Sequence, residues 1–307
     1  MYHTPVMPEE TAQLLLSFET EVVLDLTCGG GGHLKYFSDR LSKGATLIGI
    51  DRDIEAVTAA AKILKAAPQK IELVNNSFNR IDAVLEQLKI RKVNAILMDL
   101  GVSSHQIDKS DRGFSFMADG PLDMRMGADA ELSAADVINQ YSELKLTDIF
   151  RRYGEEKRAA VAAREICAAR TRGKIETTSQ LREILGRILS PRYLNASLAR
   201  IFQAIRIEIN QELDQLKETL PKALEYLSIG GRMAVISYHS LEDRTVKRFF
   251  TEEAKGCICP PKLPQCACGR MPTVKILTRK VVTPSDNEIK LNSRARSAKL
   301  RAVEKIA

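Results

Sequence analysis

The sequence has no apolar run long enough to cross a bilayer, and its first residues lack the basic-then-apolar pattern of a secretory leader. Those absences argue against membrane and exported classes, so a cytoplasmic protein with no membrane partner is expected. A dinucleotide fingerprint is missing as well. Four consecutive glycines stand at 29–32, but starting Gly-x-Gly-x-x-Gly at Gly29 or Gly30 puts Leu34 or Lys35 where the third glycine belongs. That disfavours a nicotinamide dehydrogenase.

What surrounds those glycines is informative. The run Val22-Val23-Leu24 reads as a short buried strand ending at Asp25, and a helical pattern resumes over 34–41. Strand, glycine turn and helix make the first half of a βαβ unit, in which glycine lets a ligand approach the backbone. An acidic residue on the strand sits badly beside a pyrophosphate. It suits a ligand carrying an ammonium and a sulfonium, namely S-adenosylmethionine. The next strand, 46–50, ends in Asp51, whose carboxylate can accept both hydroxyls of a ribose.

At 307 residues, with 44% apolar and 28% charged residues, the chain has an ordinary globular balance and room for one large domain or a domain with an insertion. Its charge is unevenly placed. From Arg270 onward there are ten Lys and Arg against three Asp and Glu, so the whole formal excess of +7 lies there. A basic tail on a neutral body points to a polyanionic partner, most simply nucleic acid.

The stretch 2–10 holds two prolines and reads as an extended lead-in, with His3 as a tail residue. An amphipathic helix is expected over 9–18, burying Leu14, Leu15 and Phe18. After Asp51 the alternation continues through a helix at 54–67, a strand at 71–74, a helix at 81–88 and a strand at 93–98. Phe78 follows the third strand, where it could stack on an adenine or serve as core. Asp99 follows the fourth. Ligands of parallel sheets bind beyond the strands' carboxyl ends, where Asp25, Asp51, Phe78 and Asp99 all fall.

The alternation then stops. The stretch 110–126 is a long loop rich in Asp and Gly, with interleaved Phe, Met and Arg that argue against disorder. Helices are expected at 134–141, 145–153, 155–172, 179–189 and 194–209, with Ser133 and Thr178 as N-caps. Arg151, Arg152, Lys157, Arg158, Arg164, Arg170, Arg172 and Lys174 could line a phosphate-binding face there. A helix at 210–227 closed by Gly230-Gly231, a strand at 232–237 delivering Tyr238-His239-Ser240, a helix at 241–254 and strand material at 274–282 complete the pattern. The expectation is therefore an α/β, Rossmann-like fold with a doubly wound, mostly parallel sheet. Residues 1–106 and 207–307 would form the cofactor-binding catalytic domain, and 107–206 a helical insertion domain for RNA recognition.

Four of the six cysteines fall in the pattern Cys257-x-Cys259…Cys266-x-Cys268 around a proline loop. Paired thiols resemble a zinc knuckle, but Cys-x-Cys is not the commoner Cys-x-x-Cys, so an unmetallated loop is preferred and no metal is assigned.

Taken in order, His3-Thr4-Pro5-Val6, 25–33, 98–106, Gly113-Phe114-Ser115-Phe116, Leu122-Asp123-Met124-Arg125, Asn210-Gln211-Glu212-Leu213, 237–244 and 292–301 carry a resemblance. The chain resembles the bacterial S-adenosylmethionine-dependent methyltransferases that modify N4 of a cytosine in 16S ribosomal RNA. The resemblance runs nearly end to end and implies a class I methyltransferase fold. It also implies 16S rRNA or the small subunit as partner; a homodimer is a candidate assembly that the sequence leaves open. The family's cofactor contacts carry over to Gly31, Gly32, His33, Asp51, Phe78, Asp99 and Gln106. Leu26, Leu34 and Ser293 depart from the family's usual small residue, Ser and Pro.

The chemistry agrees. Covalent C5 methylation wants a Cys nucleophile at a strand end, and none of Cys28, Cys167 or Cys259 stands in that setting. Direct transfer to an exocyclic amine needs only an acceptor for its proton. The Pro-Pro-aromatic turn of many DNA amino-methyltransferases is absent, so Phe114, Phe116 or Tyr238 would clamp the base. Asp99 is favoured as a cofactor contact, with a carbonyl of Leu100 or Gly101 accepting from the amine. Asp99 itself, His239 and Asp123 are the candidate catalytic side chains.

Overall fold

The computed structural model describes residues 5–17, 19–127, 130–257, 259 and 268–307. His3, Phe18 and Cys266, singled out above, lie outside them. The first third of the chain forms α1 (Pro8–Leu15), β1 (Val22–Asp25), α2 (Gly32–Ser38), β2 (Thr46–Asp51), α3 (Ile54–Leu64), β3 (Lys70–Asn75), α4 (Ile81–Gln87) and β4 (Val93–Asp99). Six helices follow: α5 (Ser104–Asp108), α6 (Ala134–Gln140), α7 (Glu143–Arg152), α8 (Ala159–Arg170), α9 (Thr178–Gly186) and α10 (Leu194–Asn210). The rest gives α11 (Glu212–Tyr226), β5 (Leu227–Ser237), α12 (Ser240–Glu253), β6 (Val274–Ile276), α13 (Asp286–Leu291) and β7 (Lys299–Lys305). The chain divides into two units, 1–101 with 213–307, and 102–212.

In the first unit the strands form one sheet of order β3-β2-β1-β4-β5-β7-β6. Strands β1 to β5 pair in parallel, and β7 runs antiparallel between β5 and β6. This is the expected Rossmann-like, doubly wound and mostly parallel sheet. Its strands read as near-continuous apolar runs because both faces are covered. Leu24, Ile48, Ile96 and Met98 pack on one face with Leu216 and Leu220 of α11. Val23, Leu47, Ala95 and Leu97 pack on the other with Leu15, Leu34 and Phe37. Each such Leu or Ile contributes about 1.5–3 kcal/mol when buried. The two departures near the glycine turn, Leu26 and Leu34, are themselves buried core. A Cβ on Gly49 would lie 2.8 Å from Leu34 Cδ1, so glycine in β2 makes room for leucine in α2. Chain order reverses between β1 and β4, which opens a crevice beyond their carboxyl ends.

Several expectations need correction. Gly230-Gly231 does not stop a helix. The helix ends at Tyr226, and the diglycine lies inside β5, where the register against β4 shifts and Gly230 has φ +78°. It is a bulge that leaves the rest of the strand in register. The 274–282 strand ends at Ile276, and Val282 makes only an isolated bridge with Leu300. The basic tail is no appendage, because Lys299–Lys305 is the strand that joins β5 to β6. Its charge is partly spent inside the unit: Arg301 Nε lies 2.7 Å from Asp243 Oδ1, and Lys305 Nζ donates to the Leu224 carbonyl.

In the second unit, α6 to α10 pack around Ile138, Leu146, Phe150, Ala162, Ile166, Leu185, Leu198 and Ile205. Ser133 caps α6 in a capping box with Asp136; Thr177, not Thr178, caps α9. Helix α8 starts at Ala159, later than the pattern suggested, because Glu155 adopts φ +49°. The 110–126 loop is folded tightly on itself. A Cβ on Gly113 would sit 2.1 Å from the Pro121 carbonyl oxygen, and one on Gly120 1.8 Å from that of Ser110, so only glycine fits. Asn210 fixes the loop's end, accepting from the Met126 N–H and donating to the Met124 carbonyl. The expected phosphate-binding face is partly engaged within its own unit. Arg152 pairs with Asp148, Arg164 with Glu143, and Arg158 and Arg170 donate to carbonyls of Ile188 and Ile138.

Candidate functional site

The glycine turn is knitted to the strand ends around it. Leu26 N–H donates to the Leu97 carbonyl of β4, and Cys28 N–H to the Ile50 carbonyl of β2. Gly29 and Gly31 have φ of +50° and +82°, a left-handed conformation that favours glycine. At Gly31 a Cβ would come within 3.1 Å of Ala60, at Gly32 within 3.1 Å of the Pro5 ring, and at Gly29 it would meet nothing. The lead-in therefore packs directly under the turn, and the turn presents bare backbone on its open side.

Three carboxylates converge here. Asp25 Oδ1 accepts from the Thr27 N–H, while its Oδ2 is buried with no hydrogen-bond partner among the described residues. Burial pushes this carboxyl up to about 8 against the Thr27 hydrogen bond, with Asp99 and Asp51 adding repulsion. Asp51 accepts from the Gly29 N–H at 2.8 Å and the Asp53 N–H at 2.9 Å, and burial still lifts it to about 6. Asp99 is lifted by burial to about 7 although the Tyr238 hydroxyl donates to its Oδ1 at 2.9 Å. Buried like charges without a full countercharge disfavour ionisation. A bound cation would reverse that, so the donor set fits a ligand with positive charge.

His33 lies beside them. Its Nε2 is 2.9 Å from the Val6 carbonyl and so carries the proton, leaving Nδ1 facing Asp99 Oδ2 at 3.9 Å. Gly31, Gly32, His33, Asp51 and Asp99 are thus brought together. Phe78 follows β3 in a short 3₁₀ turn and is half-buried against the core. His239 caps α12: its Nδ1 accepts from the Glu242 N–H at 3.4 Å, and its Nε2 is 3.1 Å from Glu242 Oε1. Capping takes Nδ1, while the buried Nε2 makes no hydrogen bond among the described residues.

Gln106 and Asp123 belong to the helical unit. Gln106 is buried, and its side-chain oxygen accepts from the Ser103 N–H. Asp123 is gripped by Arg125 Nε and Nη2 at 2.9 and 2.7 Å. Burial raises its carboxyl, but the Arg125 hydrogen bonds and charge more than offset this and hold it below the usual range, which makes it a poor proton acceptor.

Sequence reasoning missed two contacts. Thr27 Oγ1 accepts from the Asp99 N–H at 2.6 Å, bridging β1 to β4, and Tyr238 holds Asp99 instead of standing free as a base clamp. The signal for the second was available: Asp99 pairs with Ile236 in the sheet, so the residue two beyond Ile236 can reach it. Cys28 is buried, and burial pushes its thiol well up, so it is no nucleophile.

A second surface of this unit is cationic. A cavity of about 560 Å³ between α12 and β6 is lined by Lys247, Lys275, Arg279 and Arg301 and by no acidic residue. No carboxylate is paired with Lys247, Lys275 or Arg279 among the described residues, which leaves their charge available to an anion.

Residues 1–306 match the MraW methylase family. The chain is 46% identical over 306 residues to ribosomal RNA small subunit methyltransferase H of Clostridium botulinum, covering 99% of both chains. It is 46% identical to the protein of that name from Syntrophotalea carbinolica, over 99% of this chain and 98% of the other. For Caldicellulosiruptor saccharolyticus the figure is 45%, over 99% of each.

Proposed function

The chain belongs to the MraW methylase family, and from that premise we propose that it methylates N4 of a cytosine in the 16S RNA of the small ribosomal subunit, using S-adenosylmethionine. The observation that carries the cofactor reading is the cluster of Asp25, Asp51 and Asp99 at the glycine turn, with the buried Asp25 Oδ2 lacking a hydrogen-bond partner among the described residues. S-adenosylmethionine supplies a methyl group on a positively charged sulfur. Asp51 would hold the ribose hydroxyls through the oxygen lone pairs that Gly29 and Asp53 leave open, and Asp25 and Asp99 would face the positive charges. Gly31, Gly32, His33 and Phe78 complete the proposed cofactor contacts of this unit.

The chain's remaining task is to hold the amine and take its proton, because the amine's lone pair becomes available only as the proton departs. Of the three candidate side chains, His239 spends Nδ1 on the helix cap and keeps Nε2 3.1 Å from Glu242 Oε1, and Asp123 is held by Arg125. We therefore assign the amine's acceptor to the carbonyl of Leu100 or Gly101, with Asp99 as the adjacent charge partner. The small subunit's RNA as substrate is supported by the names of the relatives and by the unpaired cations of the α12–β6 groove.

Transfer of labelled methyl from S-adenosylmethionine to undermodified small subunits tests the reading, with mass analysis of the digested RNA. N4-methylcytidine is the expected product; no transfer, or label at C5 or a ribose hydroxyl, overturns it. Single-turnover methylation by Asp99→Asn at saturating cofactor should be only modestly slower. A loss beyond about a thousandfold would make Asp99 the proton acceptor.

A further inference from the structure

Between α12 and β6 the chain makes an excursion whose two legs are pinned at the base. Thr273 N–H donates to the Glu253 carbonyl at 2.9 Å, Thr273 Oγ1 to Glu253 Oε2 at 2.6 Å, and Arg270 Nη2 to the Glu252 carbonyl at 2.7 Å. Above that clasp the legs bring three cysteines together. The sulfur atoms of Cys257, Cys259 and Cys268 all lie within 4.8 Å of one another. Cys257 and Cys259 come from one leg and Cys268 from the other, so chain proximity alone does not assemble the group.

The spacing discriminates between the two things clustered thiols do. Cys268 Sγ lies 3.8 Å from Cys257 Sγ. A disulfide needs about 2.05 Å, whereas two thiolates on a tetrahedral zinc, each about 2.3 Å from the metal, stand about 3.8 Å apart. The Cys259 N–H points at Cys257 Sγ at 3.4 Å, a contact that stabilises negative charge on sulfur. Gly269, immediately after Cys268, has φ +60°, which lets the second leg turn sharply behind its ligand.

We propose that Cys257, Cys259 and Cys268 bind a zinc ion as thiolates. Soft thiolate sulfur selects zinc over the hard divalent cations, and a group held by sulfur spacing of this kind is a structural site, not a catalytic one. Cys266 completes the Cys-x-Cys…Cys-x-Cys pattern in the sequence and lies outside the described residues; the three described thiols carry the proposal. On loading, each ligating thiol gives its proton to water, so metal affinity rises with pH. The ion would cross-link the legs that continue into Ala254 and Pro272, two residues of the cationic groove's wall.

The test uses the full chain, purified without chelator from zinc-supplemented culture. Elemental analysis should find about one zinc per chain. Exchange for cobalt(II) should give the thiolate-to-cobalt charge-transfer band and the visible bands of a tetrahedral site. Cys257→Ser and Cys268→Ser should each lose the metal, while Cys167→Ser keeps it. Zinc at background together with an absent cobalt band overturns the proposal, as does a Cys257–Cys268 disulfide in the purified protein. The cobalt spectrum of the unmutated chain decides the matter even where a serine variant fails to fold.

Discussion

Replacing Tyr238 by Phe removes one oxygen and tests the electrostatics of the whole site. The Tyr238 hydroxyl donates to Asp99 Oδ1 at 2.9 Å in a part-buried setting, and it holds down a carboxyl that burial has already lifted to about 7. A hydrogen bond to a charged group is worth about 1.5–3 kcal/mol. Its loss raises the Asp99 pKa by about one to two. At about pH 7 the ionised fraction then falls from about a half to about 1–10%. If ionised Asp99 faces the cofactor's positive charge, S-adenosylmethionine affinity drops about five- to fiftyfold at about pH 7. At about pH 9 the carboxyl is almost fully ionised in the parent and about half to nine-tenths ionised in the variant, and the loss shrinks to about twofold or less. Calorimetric titration of Tyr238→Phe and the parent across this range is the assay. Equal losses at both pH values would refute the reasoning, because they would show that the hydroxyl acts by packing or direct contact and not through the Asp99 proton.

Other outcomes follow from the same geometry. Asp25, Asp51 and Asp99 have folded pKa values above the ordinary carboxylate value, so their contribution to stability is full below about pH 4 and is lost as pH rises through about 6 to 8. The melting temperature of the ligand-free chain should fall across that window, and Asp25→Asn should flatten the fall; an identical slope in the variant would remove Asp25 as a cause. Gly31→Ala forces a Cβ into a left-handed position 3.1 Å from Ala60 and should cost about 1–2 kcal/mol, read by denaturant melts. An unchanged midpoint would show that the turn relaxes freely. Lys275→Ala and Arg279→Ala should each lower the salt slope of RNA binding by about 0.7–0.9 if the groove contacts phosphates, with cofactor affinity untouched. A slope equal to the parent's would assign the groove elsewhere.

The parallel half of the sheet was legible because its strands are short apolar runs that each end in a chemically telling residue. Val22 to Asp25 and Thr46 to Asp51 announce both a buried strand and a polar end. Three features were not legible. Strand β7 reads as Lys-Leu-Arg-Ala-Val-Glu-Lys, an alternating pattern inside a basic stretch, and its charge masked its periodicity. The Gly230-Gly231 bulge looked like a helix stop because glycine serves both purposes. The cap role of His239 escaped notice because His is rarely read as an N-cap beside Ser240, which the structure makes the first helical residue. Truncation after Val282 would remove a strand hydrogen-bonded on both sides, so the tail's part in RNA binding has to be probed by point substitutions.

The position of β7 also constrains the order in which the protein can be made. Synthesis delivers β1 to β4 first, then the whole of 102–212, and only afterwards the parallel partner of β4. Until then the edge of β4 lacks its β5 partner, and such edges invite intermolecular pairing. Even β5 and β6 cannot meet, because the strand that lies between them comes after both in the chain. Asp99 gains Tyr238 only when β4 and β5 are side by side, and β5 is hydrogen-bonded on both edges only when β7 inserts. A sheet with this many long-range pairings folds slowly for its size. The seven-stranded sheet can therefore be completed only after the last strand in the chain has been made.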